Sequence, residues 1–261
     1  MGNFMKLIQN ENMKIYLRLR TWIMLGFIVL LPPFLSLAFY LAGGENMSGW
    51  SMVLIESRIL FFLITIFTVV VAADSVAGEF TWGTIKLLLI RPWSRSTILL
   101  SKYLSTMLFA LFFTVVAFIM TLLANLVVFG FSTDANLAAG MTDVAYIWKF
   151  YLMEFVTLII IVTFGFTMSS AFRSGGLAIG LSIFFLFAGN LITGLFALAN
   201  KAWVKYVLFM HLDLTSYING GNGPIPNYPT TLGFSLAVLA VYFVIFNVVS
   251  WTVFRKRDVA A

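Results

Sequence analysis

Ten acidic residues, one histidine and no cysteine are what the chain offers to metal ligation and to carboxylate or imidazole acid–base chemistry. Without cysteine there is no thiolate metal site, no disulfide and no thiol nucleophile. A single histidine argues against a metal centre. No GxxxxGK[ST] stretch is present, and the glycine-rich segments adjoin apolar runs, so the chain has no nucleotide site of its own. The acids are scattered, whereas a membrane enzyme needs them clustered near one face, so an enzyme is not expected. What remains is charge in unfavourable places, where each ion at a helix centre costs roughly 2.5–3.5 kcal/mol. Asp74 closes the second apolar run, where it caps or pairs with a loop cation, or takes part in coupling. Glu79 follows it and is placed to cap a short helix or to bond that helix's first amides. Glu154 is the most deeply placed acid, about two turns inside the fourth run, with Lys149 before it. It reads as a bundle partner or vestibule residue, or as a contact to a cationic substrate or a proton site. Glu56 and Arg58 read as a rim pair.

The elements that position these residues are membrane helices. At 61% hydrophobic and 10% charged residues, the composition lies far from that of soluble domains, in which about a quarter of residues are charged. One integral membrane domain, 1–261, is expected, all-α, with spans near 22–42, 59–77, 96–131, 146–171, 176–198 and 232–254. About 20 residues cross a bilayer, so the third span has a surplus that must tilt, break or project. Pro32-Pro33 should kink the first span. Residues 1–20 interleave apolar and charged side chains without a cleavable apolar core, which reads as an interfacial helix. Within 199–230, Lys201 to Met210 is amphipathic and too short to cross and Gly220 to Pro229 is turn material, which suggests a re-entrant helical segment at the outer face. Of the sixteen Lys and Arg, twelve fall on one side of this arrangement and four (Arg58, Lys149, Lys201, Lys205) on the other. The positive-inside rule then puts both termini in the cytoplasm of a multi-pass plasma-membrane protein. The same rule accounts for the net charge of +6 without nucleic acid as a partner.

Between the second and third spans lies a polar interruption, Asp74 to Lys102, that is more than a connection. Trp82, Ile85, Leu87, Leu88, Leu89 and Ile90 form an apolar block that reads as a short helix. Arg91-Pro92 ends it, because a residue before proline is pushed out of the helical region. Such a helix either packs on its own membrane or bundle, or docks on another protein.

This interruption resembles the coupling loop of permease subunits of type-2 ABC transporters. The resemblance rests on Gly78-Glu79, Gly83-Thr84, Leu87-Leu88-Leu89, Pro92 and Arg95, with Ile98 to Lys102 opening the next span. A basic residue that the family places after the glutamate is Phe80 here. The order of the other elements agrees along the chain. The resemblance implies that 78–95 is a cytoplasmic coupling loop, with Glu79, Thr81, Trp82, Thr84, Lys86, Leu88, Arg91 and Arg95 docking on a separate ABC ATPase. It implies a complex of two ATPases and two permeases, identical or homologous, with the path at the seam between permeases. ATP and Mg would be bound by the partner and no cofactor by this chain. The aromatic content suits an amphiphilic cargo, and the chain resembles those small permeases of the family that expel peptide toxins or antibiotics, while others in the wider family extrude ions or export lipid-linked polymers.

Gly176 and Gly180 form a GxxxG pattern continued by Ser182, Ala188, Gly189 and Gly194, which favours close helix approach and, with the resemblance, the permease seam. Asn125 and Asn190 are candidates to bond across helices there. The competing reading is a free-standing secondary transporter or channel, although the repeated halves with broken helices that such folds carry are not evident.

Overall fold

The computed structural model describes residues 2–44, 47–85, 93–131, 140–199, 201–221, 223, 225 and 228–256. Among these residues seven α-helices follow one another: α1 (Gly2–Tyr16), α2 (Leu19–Leu41), α3 (Gly49–Thr81), α4 (Arg95–Val128), α5 (Asp143–Ala171), α6 (Gly175–Ala199) and α7 (Leu232–Lys256). No strand occurs among the described residues. Six of the helices, α2 to α7, are long and apolar enough to cross a membrane. The chain is a multi-pass membrane protein.

Local chemistry sets where the helices begin. Ser48 accepts the Trp50 amide at 3.3 Å, Ser94 accepts that of Thr97 at 3.1 Å, and Thr142 accepts that of Ala145 at 3.3 Å. Each hydroxyl satisfies one of the orphan donors of a first turn. The second span therefore starts ten residues before the expected Ile59, because Glu56, Ser57 and Arg58 are carried inside the helix. Helix α2 runs through Pro32 and Pro33 as one element.

Helix α3 is central and packs against α2, α4, α5 and α6. Leu60, Ile64 and Ala72 from α3 meet Phe109 and Phe113 from α4 and Phe166 from α5 in the main core. At the end of the bundle where α3 begins, a Cβ on Gly49 would come within 2.2 Å of the Gly130 carbonyl oxygen. Only glycine lets α3 start that close to the end of α4, and Trp50 stacks on Phe131 there at 4.3 Å. The outside of the bundle is apolar: Leu30, Val127 and Phe184 are 68%, 84% and 69% exposed. That inverts the pattern of a water-soluble bundle and suits a lipid solvent. Most interior hydroxyls bond to protein groups, although that of Thr68 finds no partner among the described residues. Thr106 and Thr114 donate to carbonyls one turn back in α4, and Ser170 meets Ser250 across α5 and α7 at 2.8 Å. In hydrocarbon each such group must find a protein partner.

The segment after α6 expected to hold a short amphipathic helix folds instead as three 3-10 turns, Ala202–Tyr206, Leu208–His211 and Thr215–Tyr217. His211 locks them onto α7. Its Nε2 donates to the Lys205 carbonyl at 2.7 Å, since a carbonyl can only accept. The Nδ1 of the neutral ring therefore accepts from Ser235 at 2.8 Å, and the Tyr217 hydroxyl lies 2.7 Å from the same serine.

Candidate functional site

At the other end of the bundle, α1 lies against α4 and buries Leu7, Ile8 and Glu11 along one stripe. The spacing of three and four residues puts these on one face. The joint to α2 is closed by the first turn of that helix. Thr21 donates to the Ile15 carbonyl at 2.6 Å and the Trp22 indole donates to that of Tyr16 at 2.9 Å.

Two charge clusters hold this joint to the core. In the first, the Lys102 ammonium of α4 donates to Glu11 at 2.7 Å and to Glu79 at 2.9 Å. Lys14 also reaches both acids, Glu11 at 3.0 Å and Glu79 at 2.9 Å. Lys102 is only 3% exposed, so two carboxylates satisfy a cation that α4 carries almost out of water. Burial alone would push the Glu11 carboxyl up, but Lys102 and Lys14 outweigh it and hold it below its ordinary 4.5. Burial would likewise lower Lys14, yet Glu11 and Glu79 raise it above its ordinary 10.5. In the second cluster, Asp74 of α3 accepts from Arg18 and, at 2.7 Å, from Arg20. Between the clusters opens a cavity of about 720 Å³ lined by Glu11, Lys14, Arg18, Arg20, Asp74 and Trp82 among others.

Asp74 thus pairs with cations of the α1–α2 joint and not with one from the loop after α3. Glu79 lies inside α3 and turns its carboxylate inward, where Thr84 also donates to it. Thr81 donates to the Ala77 carbonyl at 3.0 Å and accepts the Gly175 amide at 2.9 Å, which ties the α5–α6 turn to this end. Trp82 is 76% exposed. Arg95 donates to the Arg255 carbonyl at 3.1 Å and brings the end of α7 here as well. Lys86, Leu88 and Arg91, with the apolar block 87–90, lie outside the described residues.

A family described as a protein of unknown function, DUF2705, matches residues 18–260. The chain belongs to the DUF2705 family. It is 35% identical to the uncharacterized protein YhcI of Bacillus subtilis (strain 168), over 98% of this chain and 99% of that one. It is 30% identical to the uncharacterized membrane protein YdbK of the same organism, over 82% of this chain and 84% of that one.

Two expectations about charge need correction in this DUF2705 chain. Glu56 forms no rim pair with Arg58. It is 0% exposed, and it accepts from Ser36 of α2 at 2.6 Å and from Asn125 of α4 at 2.7 Å. Residues two apart on a helix do not face each other, and the Arg58 guanidinium lies over the Phe150 ring at 6.0 Å. Glu56 is therefore more deeply buried than Glu154, which is half-buried near Asp213 and Arg58. Asn125 does bond across helices, to α3.

The small residues of α6 divide between two faces. Ser182 and Gly189 are buried, the latter with Phe209 3.1 Å from where a Cβ would lie. Gly176 and Gly180 are exposed, and no atom lies within 4 Å of a Cβ built on Gly180. Their pattern lies open among the described residues. The side chain of Asn190 lies outside what is described.

Proposed function

We propose that this chain is the transmembrane subunit of an ATP-driven exporter and couples to a separate cytoplasmic ATPase through the loop after α3. The observation that carries the reading is the clamp on Glu79. The residues that lead into the apolar block are held to α1 and α4 by a cation 3% exposed, which gives the proposed docking segment, Thr81 to Ile90, a fixed base. The apolar sequence that follows that base calls for a partner surface, and the motif that begins at Gly78 resembles the one that supplies such docking. The charge at this end also fits a cytoplasmic placement of both termini. Lys14, Arg18, Arg20, Arg95 and Lys102 meet there, whereas Lys201 and Lys205 lie at the other end, beside the 3-10 turns. In this reading 1–20 is an interfacial helix, 199–230 an outer re-entrant segment, and the open Gly176–Gly180 face of α6 meets a second permease copy. The translocated cargo is amphiphilic.

Orientation is checked with reporter fusions. Those after Trp93 and Ala261 are expected to read as cytoplasmic, and those after Met47 and Asn222 as external. A cytoplasmic signal from Asn222 would remove the re-entrant segment.

The docking is tested with Leu88→Glu and Arg95→Ala. A large apolar side chain buried at an interface contributes about 1.5–3 kcal/mol, whereas an exposed ion pair contributes about 0–1 kcal/mol. Leu88→Glu is expected to release the ATPase on co-purification and to abolish transport, with Arg95→Ala milder. Retention of both partner and transport in Leu88→Glu would show that this loop is not the docking element.

A further inference from the structure

We infer that the cavity between α1, the α1–α2 joint and α3 binds the phosphate of an anionic phospholipid headgroup, with Arg18 and Arg20 as its ligands. The proposal rests on this end of the bundle lying at a membrane face, and it is independent of any ATPase.

The charge of the second cluster is incomplete. Two guanidinium groups converge on one oxygen, Oδ2 of Asp74, so two cations share a single anion. Each guanidinium has five donors in a planar fork suited to carboxylate or phosphate. The Nε of Arg20 is buried and has no acceptor. A buried donor without a partner is costly, and Arg20 lines a cavity that already holds net positive charge from this pair. A phosphodiester supplies the missing anion, and an acceptor for that Nε once the guanidinium turns toward it.

The surroundings select a lipid as the source of that phosphate. At about 720 Å³, the cavity falls within the range of roughly 300–1,000 Å³ typical of ligand sites. Beside it the apolar side chains point outward: Leu17 is 79% exposed, Leu19 75% and Trp22 60%. Trp22 also anchors its indole nitrogen on the Tyr16 carbonyl, as a residue of the membrane–water interface would. A headgroup seated on the arginines would leave its acyl chains along Leu19 and Trp22 of α2. Basic pockets between membrane helices hold anionic headgroups in this way.

The test uses the full-length protein purified in detergent, with native mass spectrometry to count retained lipid. Phosphatidylglycerol and phosphatidylcholine are offered in equal amounts, with inorganic phosphate as a competitor. The wild type is expected to retain phosphatidylglycerol over phosphatidylcholine by a factor on the order of ten, given about one charge-assisted contact from each arginine. The Arg18→Gln/Arg20→Gln variant should lose that preference, and Lys201→Gln, at the far end, should keep it. Equal retention of the two lipids by the wild type, or an undiminished preference in the double variant, would overturn the proposal. Displacement by millimolar phosphate alone would assign the site to a free anion and overturn the lipid. If the double variant does not elute as a monodisperse protein, Arg20→Lys decides. It keeps the charge on Asp74 but not the buried Nε, so the preference should fall, and an unchanged preference refutes the arginine ligands.

Discussion

Lys102→Met is expected to destabilise the protein by about 3–5 kcal/mol, the usual consequence of removing one partner from a buried ion pair. Methionine restores most of the packing volume, so the loss is electrostatic. Glu11 and Glu79, 7% and 14% exposed at their side chains, would be left to share Lys14. Lys14→Ala removes the other cation of the same cluster but should cost only about 0–1 kcal/mol, because that side chain is 42% exposed and water screens it. Adding Glu11→Gln to Lys102→Met should recover part of the loss, since it removes one orphaned charge, and a double-mutant cycle reads the coupling directly. The measurement is the unfolding midpoint in detergent. A wild-type midpoint for Lys102→Met would mean that the cluster is ornament. The same cluster sets a pH window. Glu11 is depressed, so its contribution is complete above about 4.5 and is lost as pH falls below that value. Lys14 is raised, so its contribution is complete below about 10.5 and is lost as pH rises beyond it.

Glu56→Ala is the second substitution expected to have a large effect. It removes the acceptor of two buried donors, the Ser36 hydroxyl and the Asn125 amide, and each orphaned group costs about 1–3 kcal/mol. It also leaves a void at the meeting point of α2, α3 and α4. Glu56→Gln keeps the shape and one acceptor oxygen, and should lose less than half as much. Comparable midpoints for the two variants would show that neither the shape nor the acceptor oxygen that glutamine keeps is what joins these helices.

The spans were legible because apolar runs of bilayer length leave little choice of fold, and the ends of α4, α5 and α7 fall within a few residues of expectation. The polar contacts were not. Glu56 finds Ser36 and Asn125 at separations of 20 and 69 residues, and Asp74 finds Arg18 across 56. Helical period alone forbids the Glu56–Arg58 pair, but it does not say which neighbouring helix presents a hydroxyl or amide at that depth. The small residues of α6 misled in the same way. A stripe read by residue type merges Gly180 with Ser182, while 100° per residue puts them on different faces, of which one is packed and one open. The 3-10 turns at 202–217 were hidden because an amphipathic decapeptide reads as a helix until His211 is seen bonding both Lys205 and Ser235.

The separation between Glu11 and Lys102 also orders events during synthesis. These residues are 91 apart, and ribosomes add about 5–20 residues per second, so the acid waits about 5–18 s for its buried cation. Over that interval α2 and α3 are made, while α1 holds only its local Glu11–Lys14 pair and has no α4 to bury its apolar stripe. Helix α1 therefore locks into the bundle only after the third span has arrived, and a delay in making that span prolongs the exposure of its apolar stripe.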